Sequence, residues 1–398
     1  MFLKSAKVVH IILYFRQNGK RKRVSDYECR YNNRMKPLMF LAALLLLMPP
    51  ANADTPPRYR LTVLPLEFYG SNRIDDDAPQ CGINAQGQVV GMATVKSGRF
   101  EEGRAALWQK GKPLRTLDKD PVKGSTDPSR VDLLYPTAVN ARGMATGTAI
   151  LSYTGAYTVY ISTAYLLWNG RIHSLDRGFS PASVQMASAA LGLNDDGDIV
   201  GGYQYDNTDA DQIDNPAPPG TENRHAFLRR KNRVFRLWPG VACGINNHGW
   251  IVGVKDLGFT NDGSQGVLWR SGRTTLLKMQ PTAINEHREI TGNIPISDDI
   301  GRACLWRQGK IISLTKQKSH AYALNNRGQV VGEQGHAVLW QDGRTYNLNR
   351  CVRLPKSWVL EKALGINDHG WIIGEGSVHK SPRDTQTVKS FAFLLTPR

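Results

Sequence analysis

The residues best suited to chemistry lie between positions 203 and 224, in a long segment without a regular pattern. They are two tyrosines and four aspartates: Tyr203, Tyr205, Asp206, Asp209, Asp211 and Asp214. Tyrosine offers stacking area at low entropic cost, and aspartate oxygens accept hydrogen bonds or bind calcium. Long irregular segments in compact domains are usually functional or disordered. We therefore expect this segment to contribute to ligand or partner binding.

Calcium is the one ion that these aspartates could hold. The segment lacks the central Gly and the terminal Glu of an EF-hand loop. A solvated acidic loop is therefore the simpler interpretation, and no cofactor is expected besides this candidate ion.

No catalytic signature accompanies these residues. The chain has no G-x-S-x-G, H-E-x-x-H, C-x-x-C or dinucleotide-binding glycine pattern. The sequence therefore predicts no catalytic residue and no metal site. A glycosidase with two carboxylates stays open as an alternative, because its acids can be far apart in sequence.

The elements that would position such a loop come from seven copies of one short pattern between residues 81 and 395. Each copy has an apolar residue, Asn, two variable residues and usually Gly, and the spacing between successive Asn residues is 56, 54, 52, 39, 40 and 42. An Asn at a strand end before Gly favours an Asx-type turn, so we interpret the repeated Asn as structural. These residues are Asn84, Asn140, Asn194, Asn246, Asn285, Asn325 and Asn367.

The second half of each copy is an apolar strand that leads into a tight turn with Gly or Asn. Five copies carry a Trp just before this turn, at Trp108, Trp168, Trp269, Trp306 and Trp340. A fixed position before a hairpin favours packing between neighbouring copies over carbohydrate stacking. Each copy therefore predicts four antiparallel strands.

Seven such copies predict an all-β, seven-bladed β-propeller. Its blades should fall near 78–135, 136–189, 190–240, 241–280, 281–319, 320–360 and 361–398. The last copy lacks a fourth strand, and residues 58–64 precede the first copy as a strand that would complete the last blade and close the ring. The alternative is an open solenoid with capping repeats.

The repeated phrases resemble a known family. His225-Ala226-Phe227-Leu228 and His336-Ala337-Val338-Leu339-Trp340, which follow an Asn-x-x-Gly step, are similar to the bacterial extracellular HAF repeat. The resemblance covers about residues 58–396, but the first His is kept only in copies three and six. It implies secretion and a repeat fold, and it implies no chemistry.

The N-terminal segment predicts export. Residues 35–53 combine a short charged start, an apolar run at 38–48 and the small residues Ala51 and Ala53, as in a secretory signal peptide. We interpret residues 1–34 as a wrongly extended reading frame, with a membrane-anchored basic tail as the alternative. Residues 54–398 then form a single domain, secreted to the periplasm or the exterior, with no transmembrane segment.

Charge and cysteine content bound the partners. Residues 1–53 hold 10 Lys or Arg and 2 Asp or Glu, so +8 of the formal charge of +17 lies there and +9 remains. A basic excess of this size suits acidic glycans or envelope polymers and does not require nucleic acid.

Four cysteines remain in residues 54–398 as well, and we interpret most of them as small buried hydrophobes. They are Cys81, Cys243, Cys304 and Cys351.

Together these features predict a secreted, monomeric, non-catalytic binding module for an envelope or extracellular polymer or a protein partner. The long connections between second and third strands and between repeats should share one face, and binding is expected there. The alternative function is an exported glycan hydrolase or lyase with its site at the channel mouth.

Overall fold

The computed structural model describes residues 7–17, 20–31, 56–68, 81–97, 100–116, 130–154, 158–169, 171–175, 186–205, 224–231, 233–255, 265–297, 300–381 and 386–398. The chain divides into two compact units, Met1–Thr55 and Pro56–Arg398. The predicted signal peptide, residues 35–53, lies outside the described residues. In the first unit β1 (Lys7–Gln17) pairs with β2 (Lys20–Tyr31) as an antiparallel hairpin with a bulge at Leu13/Tyr14.

The second unit begins with β3 (Tyr59–Leu64) and contains six antiparallel sheets. Sheet I comprises β4 (Gly82–Ile83), β5 (Gln88–Ser97), β6 (Phe100–Gln109) and β7 (Arg115–Thr116). Sheet II comprises β8 (Arg130–Val139), β9 (Ala145–Thr154), β10 (Thr158–Trp168) and β11 (Arg171–Ser174). Sheet III has seven strands: β12 (Met186–Leu193), β13 (Ile199–Tyr205), β14 (Arg224–Arg230), β15 (Arg233–Ile245), β16 (Ile251–Lys255), β17 (Gln265–Arg270) and β18 (Arg273–Leu277).

The remaining three sheets have four strands each. Sheet IV comprises β19 (Gln280–Ile284), β20 (Ile290–Ser297), β21 (Ile300–Arg307) and β22 (Lys310–Ser313). Sheet V comprises β23 (His320–Leu324), β24 (Val330–Glu333), β25 (Ala337–Gln341) and β26 (Arg344–Asn347). Sheet VI comprises β27 (Trp358–Ile366), β28 (Ile372–His379), β29 (Thr387–Pro397) and β3, which pairs with β29 from Ala392↔Leu64 to Pro397↔Tyr59.

The prediction of a single closed seven-bladed propeller is wrong. The described strands form six separate sheets of four to seven strands, and none of these sheets closes into a barrel or a propeller. The physical reason for the seven-stranded sheet is β15, which pairs with β14 through its first half and with β16 through its second half. Gly240, with φ of 128°, lies inside this strand. The strand β15 therefore continues across the predicted blade boundary at 240/241.

One short helix, α1 (Leu348–Cys351), follows β26. The Asn347 side chain accepts a hydrogen bond from the Asn349 amide and caps it. No helix in the described part of the chain has the length and apolar character needed to cross a membrane.

The first strand of most repeats, the one that precedes the repeated Asn, contains a β-bulge opposite a Gly of the second strand. In sheet V the register shifts between Ala321 and Ala323. A Cβ added to Gly332 would lie 1.9 Å from the His320 carbonyl oxygen. This distance is too short for any residue other than Gly at position 332. The Gly that closes the Val-Val-Gly step is therefore needed for the close approach of two backbones.

The repeated Asn side chains join the repeats by a cycle of hydrogen bonds. Each Nδ2 donates to the backbone carbonyl of the Asn in the next repeat, over 2.9–3.3 Å, and Asn367 donates to Asn84 at 3.0 Å. In all seven, Oδ1 accepts from the amide four residues later, as Asn246 does from Trp250. All seven are buried, so the cycle satisfies polar groups that water does not reach.

The apolar core lies mainly between consecutive repeats, in seven clusters. Trp340 is 2% exposed and packs with residues of sheets IV and V, while Trp108 borders a cluster of sheets I and VI. Trp269 and Trp306 border two further clusters, and Trp168 is half-buried. The four described cysteines are free thiols, of which only Cys243 is not buried.

Candidate functional site

The first strands of the repeats surround a central cavity of about 530 Å³. Its apolar floor includes Ile83, Val139 and Ile366, which immediately precede residues of the Asn cycle. Its opposite end includes Gln280, Asn293, His320 and Tyr322. Because each first strand runs from this end to its Asn, the cavity has an apolar floor and, opposite it, a polar end in the fifth and sixth repeats that adjoins Val241 and Val254 of the fourth.

The polar end belongs to a belt of side chains that crosses three consecutive repeats, called here the polar belt. Its members form three cross-strand pairs: Gln280 with Asn293, His320 with Glu333, and Lys362 with Glu375. Contacts between repeats link the pairs, because Asn293 Nδ2 lies 2.9 Å from His320 Nε2 and Lys362 Nζ lies 4.0 Å from Glu333 Oε2. In the third and fourth repeats the matching pairs are apolar, Ala189 with Gly202 and Val241 with Val254.

The buried part of the polar belt favours the uncharged forms of Glu375 and of the neighbouring Cys81. Burial raises the pKa of Glu375, and the Glu333 carboxylate raises it further while the Lys362 ammonium opposes both. Burial also raises the pKa of the neighbouring Cys81 thiol well above its usual value, with a smaller contribution from Glu375. Cys81 is therefore a neutral thiol at pH 7 and a poor nucleophile.

A second cluster contains Ser377, Glu361 and His379. The Ser377 hydroxyl contacts Glu361 Oε1 at 2.5 Å and His379 Nε2 at 2.8 Å, and Glu361 lies 3.6 Å from the same imidazole nitrogen. In a Ser–His–acid triad the acid holds the other imidazole nitrogen and leaves the serine to the base. Here the carboxylate binds the serine, so the cluster does not have the geometry of an activated nucleophile.

The far side of the Asn cycle carries a shallower cavity of about 230 Å³, lined by the Asn residues and by the residues that follow them. Three of these followers are the carboxylates Asp195, Glu286 and Asp368, and each accepts a hydrogen bond from a backbone amide of the preceding repeat. Among the described residues no group of three or more His, Cys, Asp or Glu could hold a metal ion.

The same end of the sheets, called here the turn face, carries the tight turns between third and fourth strands. Eleven Lys and Arg and one Asp, all exposed, lie at six of these turns: Lys110, Lys112, Arg171, Arg230, Lys231, Arg233, Arg270, Arg273, Arg307, Lys310, Arg344 and Asp342. Cations on neighbouring positions of a rigid surface produce a strong positive potential.

Three of the turns that present these cations are two-residue hairpins. Ser271 and Gly272 have φ of 45° and 83°, Gln308 and Gly309 have 50° and 82°, and Asp342 and Gly343 have 51° and 72°. Two successive residues with positive φ form the turn that matches the twist of the flanking strands. The residues on either side of each turn therefore have fixed backbone positions.

Contacts with the turns between first and second strands hold several of the arginines. Arg230 binds Asp198 through Nε at 2.9 Å and Nη2 at 2.7 Å, and Arg307 Nε lies 2.5 Å from Glu289 Oε1. The guanidinium of Arg270 lies 5.2 Å from the ring centroid of Trp250. These contacts confirm that both kinds of turn lie at the same end of the sheets.

The ligand residues predicted from sequence are only partly described. Tyr203 is 3% exposed, and its ring packs at 5.5 Å from His225 and 6.4 Å from Phe227. It therefore does not present a stacking surface to solvent. Tyr205 ends β13, while Asp206, Asp209, Asp211 and Asp214 lie outside the described residues, as does the candidate calcium site.

Sequence reasoning missed the polar belt, although a signal for it existed. The position after the second-strand Gly is Val254 in copy four, and it becomes Asn293, Glu333 and Glu375 in copies five to seven. Polar residues that replace an apolar one at the same register, in three successive copies, indicate a function or a buried polar contact.

Comparisons with known proteins give no family. No family model matches the chain, and no curated protein matches it. Among solved structures it is similar to uncomplexed acylaminoacyl peptidase of Pyrococcus horikoshii, with 12% identity and a TM-score of 0.47, over 80% of this chain and 51% of that one. It is also similar to a protein of unknown function from Dyadobacter fermentans, with 11% identity and a TM-score of 0.33, over 85% and 98%.

This chain spans about half the length of the peptidase. At these TM-scores neither structure carries an argument about fold or activity. The resemblance to HAF repeats stays a prediction.

Proposed function

We propose that the protein is a non-catalytic binding module that contacts an anionic polymer through its turn face. The observation that carries the proposal is the set of eleven exposed Lys and Arg, with a single Asp, at six turns between third and fourth strands. The turns between first and second strands at the same end add three arginines and six carboxylates, so 14 cations against 7 carboxylates leave the described turns of this face with a net charge of +7. The binding function follows the prediction from sequence, whereas the surface differs from the long-loop face expected there. Of those connections, 118–135, 176–188 and 203–224 lie largely outside the described residues, whereas 92–103 and 148–162 belong mostly to β5, β6, β9 and β10.

A polymer fits this surface better than a small anion. The cations recur at six turns in successive repeats, so they offer many contacts rather than one enclosed site. Single exposed ion pairs contribute only about 0–1 kcal/mol each, and a ligand that spans several turns adds their contributions. A polyuronate or another acidic glycan has such repeated charges, and the export predicted from sequence would expose the protein to polymers of this kind.

Pre-organisation supports the proposal as well. Two-residue hairpins set the backbone geometry at three of the six turns, and the contacts of Arg230, Arg270 and Arg307 limit their rotamers. Less side-chain entropy is then lost on binding. The carboxylates of Asp198 and Glu289 partly neutralise Arg230 and Arg307. Arg233, Arg273 and Lys310, on the same three turns as Arg230, Arg270 and Arg307, are therefore the cations chosen for the test.

The test is alginate binding by the purified chain, measured by biolayer interferometry in 50 mM and 200 mM NaCl. Replacing Arg233, Arg273 and Lys310 with Glu should weaken binding at least about tenfold, since three contacts of about 0.5 kcal/mol each amount to that factor. Binding by the unchanged protein should weaken with salt, because association releases counterions.

The matched control replaces Lys356, Lys380 and Lys389 with Glu. All three are exposed in or beside sheet VI, away from the turn face, and the change in net charge is identical. Equal losses in both variants would show that only net charge matters, and they would overturn the proposal. The alternative of an exported glycan hydrolase or lyase stays a prediction.

A further inference from the structure

We propose that the central cavity is a second binding site, for an uncharged organic molecule that joins an apolar ring to hydroxyl or amide groups. This site lies on the other side of the Asn cycle from the turn face, and it does not depend on the anionic polymer. The inference rests on the size of the cavity, on the absence of charged side chains among the described residues that line it, and on the fixed polar groups at one end.

The size of the cavity suits a small organic ligand. A volume of about 530 Å³ lies inside the range of about 300–1,000 Å³ typical of small-molecule sites. The apolar floor above the Asn cycle, with Ile83, Val139 and Ile366, would remove an apolar ring from water. Burial of such a ring contributes about 25 cal/mol for each Å² of apolar surface.

The lining selects against ions. No Asp, Glu, Lys or Arg is among the described residues that line the cavity. An ion that entered it would lose hydration without gaining a counter-charge on the wall, which is costly. The charged members of the polar belt, Glu333, Lys362 and Glu375, are not part of the lining.

The polar end has a defined pattern of donors and acceptors. Asn293 is 3% exposed, and its Oδ1 accepts a hydrogen bond from the Ala321 amide at 2.9 Å, which fixes the orientation of the amide group. Its Nδ2 therefore donates to His320 Nε2, so that nitrogen carries no proton.

An aromatic wall adjoins these polar groups. The rings of His320 and Tyr322 are stacked, with centroids 4.7 Å apart and an angle of 28° between planes. Gln280 opens the neighbouring first strand at the same end. A ligand with its apolar ring toward the Asn cycle and its hydroxyl or amide groups toward Gln280 and His320 would match both ends.

The experiment uses 4-nitrophenyl β-D-glucoside as a neutral probe and 4-nitrophenyl phosphate as an anionic probe with the same ring. Isothermal titration of the purified chain should show binding of the glucoside and at least about tenfold weaker binding of the phosphate. Tyr322→Leu and Gln280→Leu should each weaken glucoside binding about tenfold, which corresponds to about 1.4 kcal/mol.

The matched control is Tyr346→Leu, because Tyr346 is a partly buried tyrosine on the outer strand β26 and does not line the cavity. Circular dichroism and the melting temperature show whether each variant folds. If a variant does not fold, the test instead measures how far the glucoside protects Cys243 of the unchanged protein from alkylation. Cys243 lines the cavity, and bound glucoside should slow its alkylation by N-ethylmaleimide.

Three results would overturn the proposal. They are no glucoside binding up to 10 mM, equal binding of the two probes, and an equal loss of binding in Tyr322→Leu and Tyr346→Leu. Alginate binding through the turn face should be unchanged in Tyr322→Leu, so the failure of one proposal is distinguishable from the failure of the other.

Discussion

The two ends of the first strands differ in how strictly they repeat. At one end all seven strands lead to the same residue, a buried Asn that hydrogen-bonds to the next repeat. At the other end, three consecutive repeats carry the polar pairs of the belt, while two others carry apolar pairs. A position with the same residue in every repeat holds the repeats together, whereas a position that differs between repeats is available for binding.

The largest expected effect breaks the repeated end. Asn246→Ala removes a side chain with three hydrogen bonds, to the His248 and Trp250 amides and the Asn285 carbonyl. Because these groups stay buried, the free energy of unfolding should fall by about 2–4 kcal/mol. Urea unfolding followed by circular dichroism measures it. Asn247→Ala, at the exposed neighbour, should cost less than about 1 kcal/mol; similar costs at both positions would contradict the structural role of the cycle.

A smaller effect is expected at the variable end. Asn293→Ala leaves the Ala321 amide and His320 Nε2 without this partner, and we expect a loss of about 1–2 kcal/mol in the free energy of unfolding. Urea unfolding again provides the measurement, with Ser313→Ala on an exposed strand end as the control. A loss larger than that of Asn246→Ala would reverse the proposed contrast between the ends.

The smallest expected effect is on the pH dependence of the free energy of unfolding. It involves two histidines at the end away from the turn face. Burial lowers the pKa of His225 and of His336, with Arg236 and Arg350 adding to the respective shifts. Below about pH 6.5 the unfolded chain therefore binds more protons than the folded chain at these positions. The free energy of unfolding should fall as the pH drops below about 6.5.

The double variant His225→Gln/His336→Gln should flatten this dependence. Urea unfolding at several values between pH 5 and pH 8 compares it with the unchanged protein. An identical slope in both proteins would show that other groups cause the dependence.

Much of the local structure follows from sequence, because its causes are local. Gly and Asn at the turns set the hairpins, and alternation of apolar residues sets the strands. The same alternation could have placed Tyr203 in the core. Ile199 and Tyr203 are four residues apart on one strand, so their side chains lie on the same face, and both belong to one apolar cluster. Its sequence context beside several aspartates suggested a surface position instead.

The features that the sequence did not reveal depend on contacts between distant residues. Asn293 and His320 are 27 positions apart and belong to no motif. Likewise, Pro239 and Gly240 suggest a break between two repeats, yet Pro239 pairs with His225 inside a continuous strand. Register across a sheet decides both features, and a pattern within one copy does not contain that information.

The continuous strand β15 also has a consequence for how the molecule can loosen. Because its 13 residues hydrogen-bond to β14 and then to β16, the third and fourth repeats share one ladder of backbone bonds. Opening one of them would require opening part of the other. The two should therefore exchange their amide hydrogens as a single cooperative block, whereas the four-stranded sheets can each exchange at their own rate.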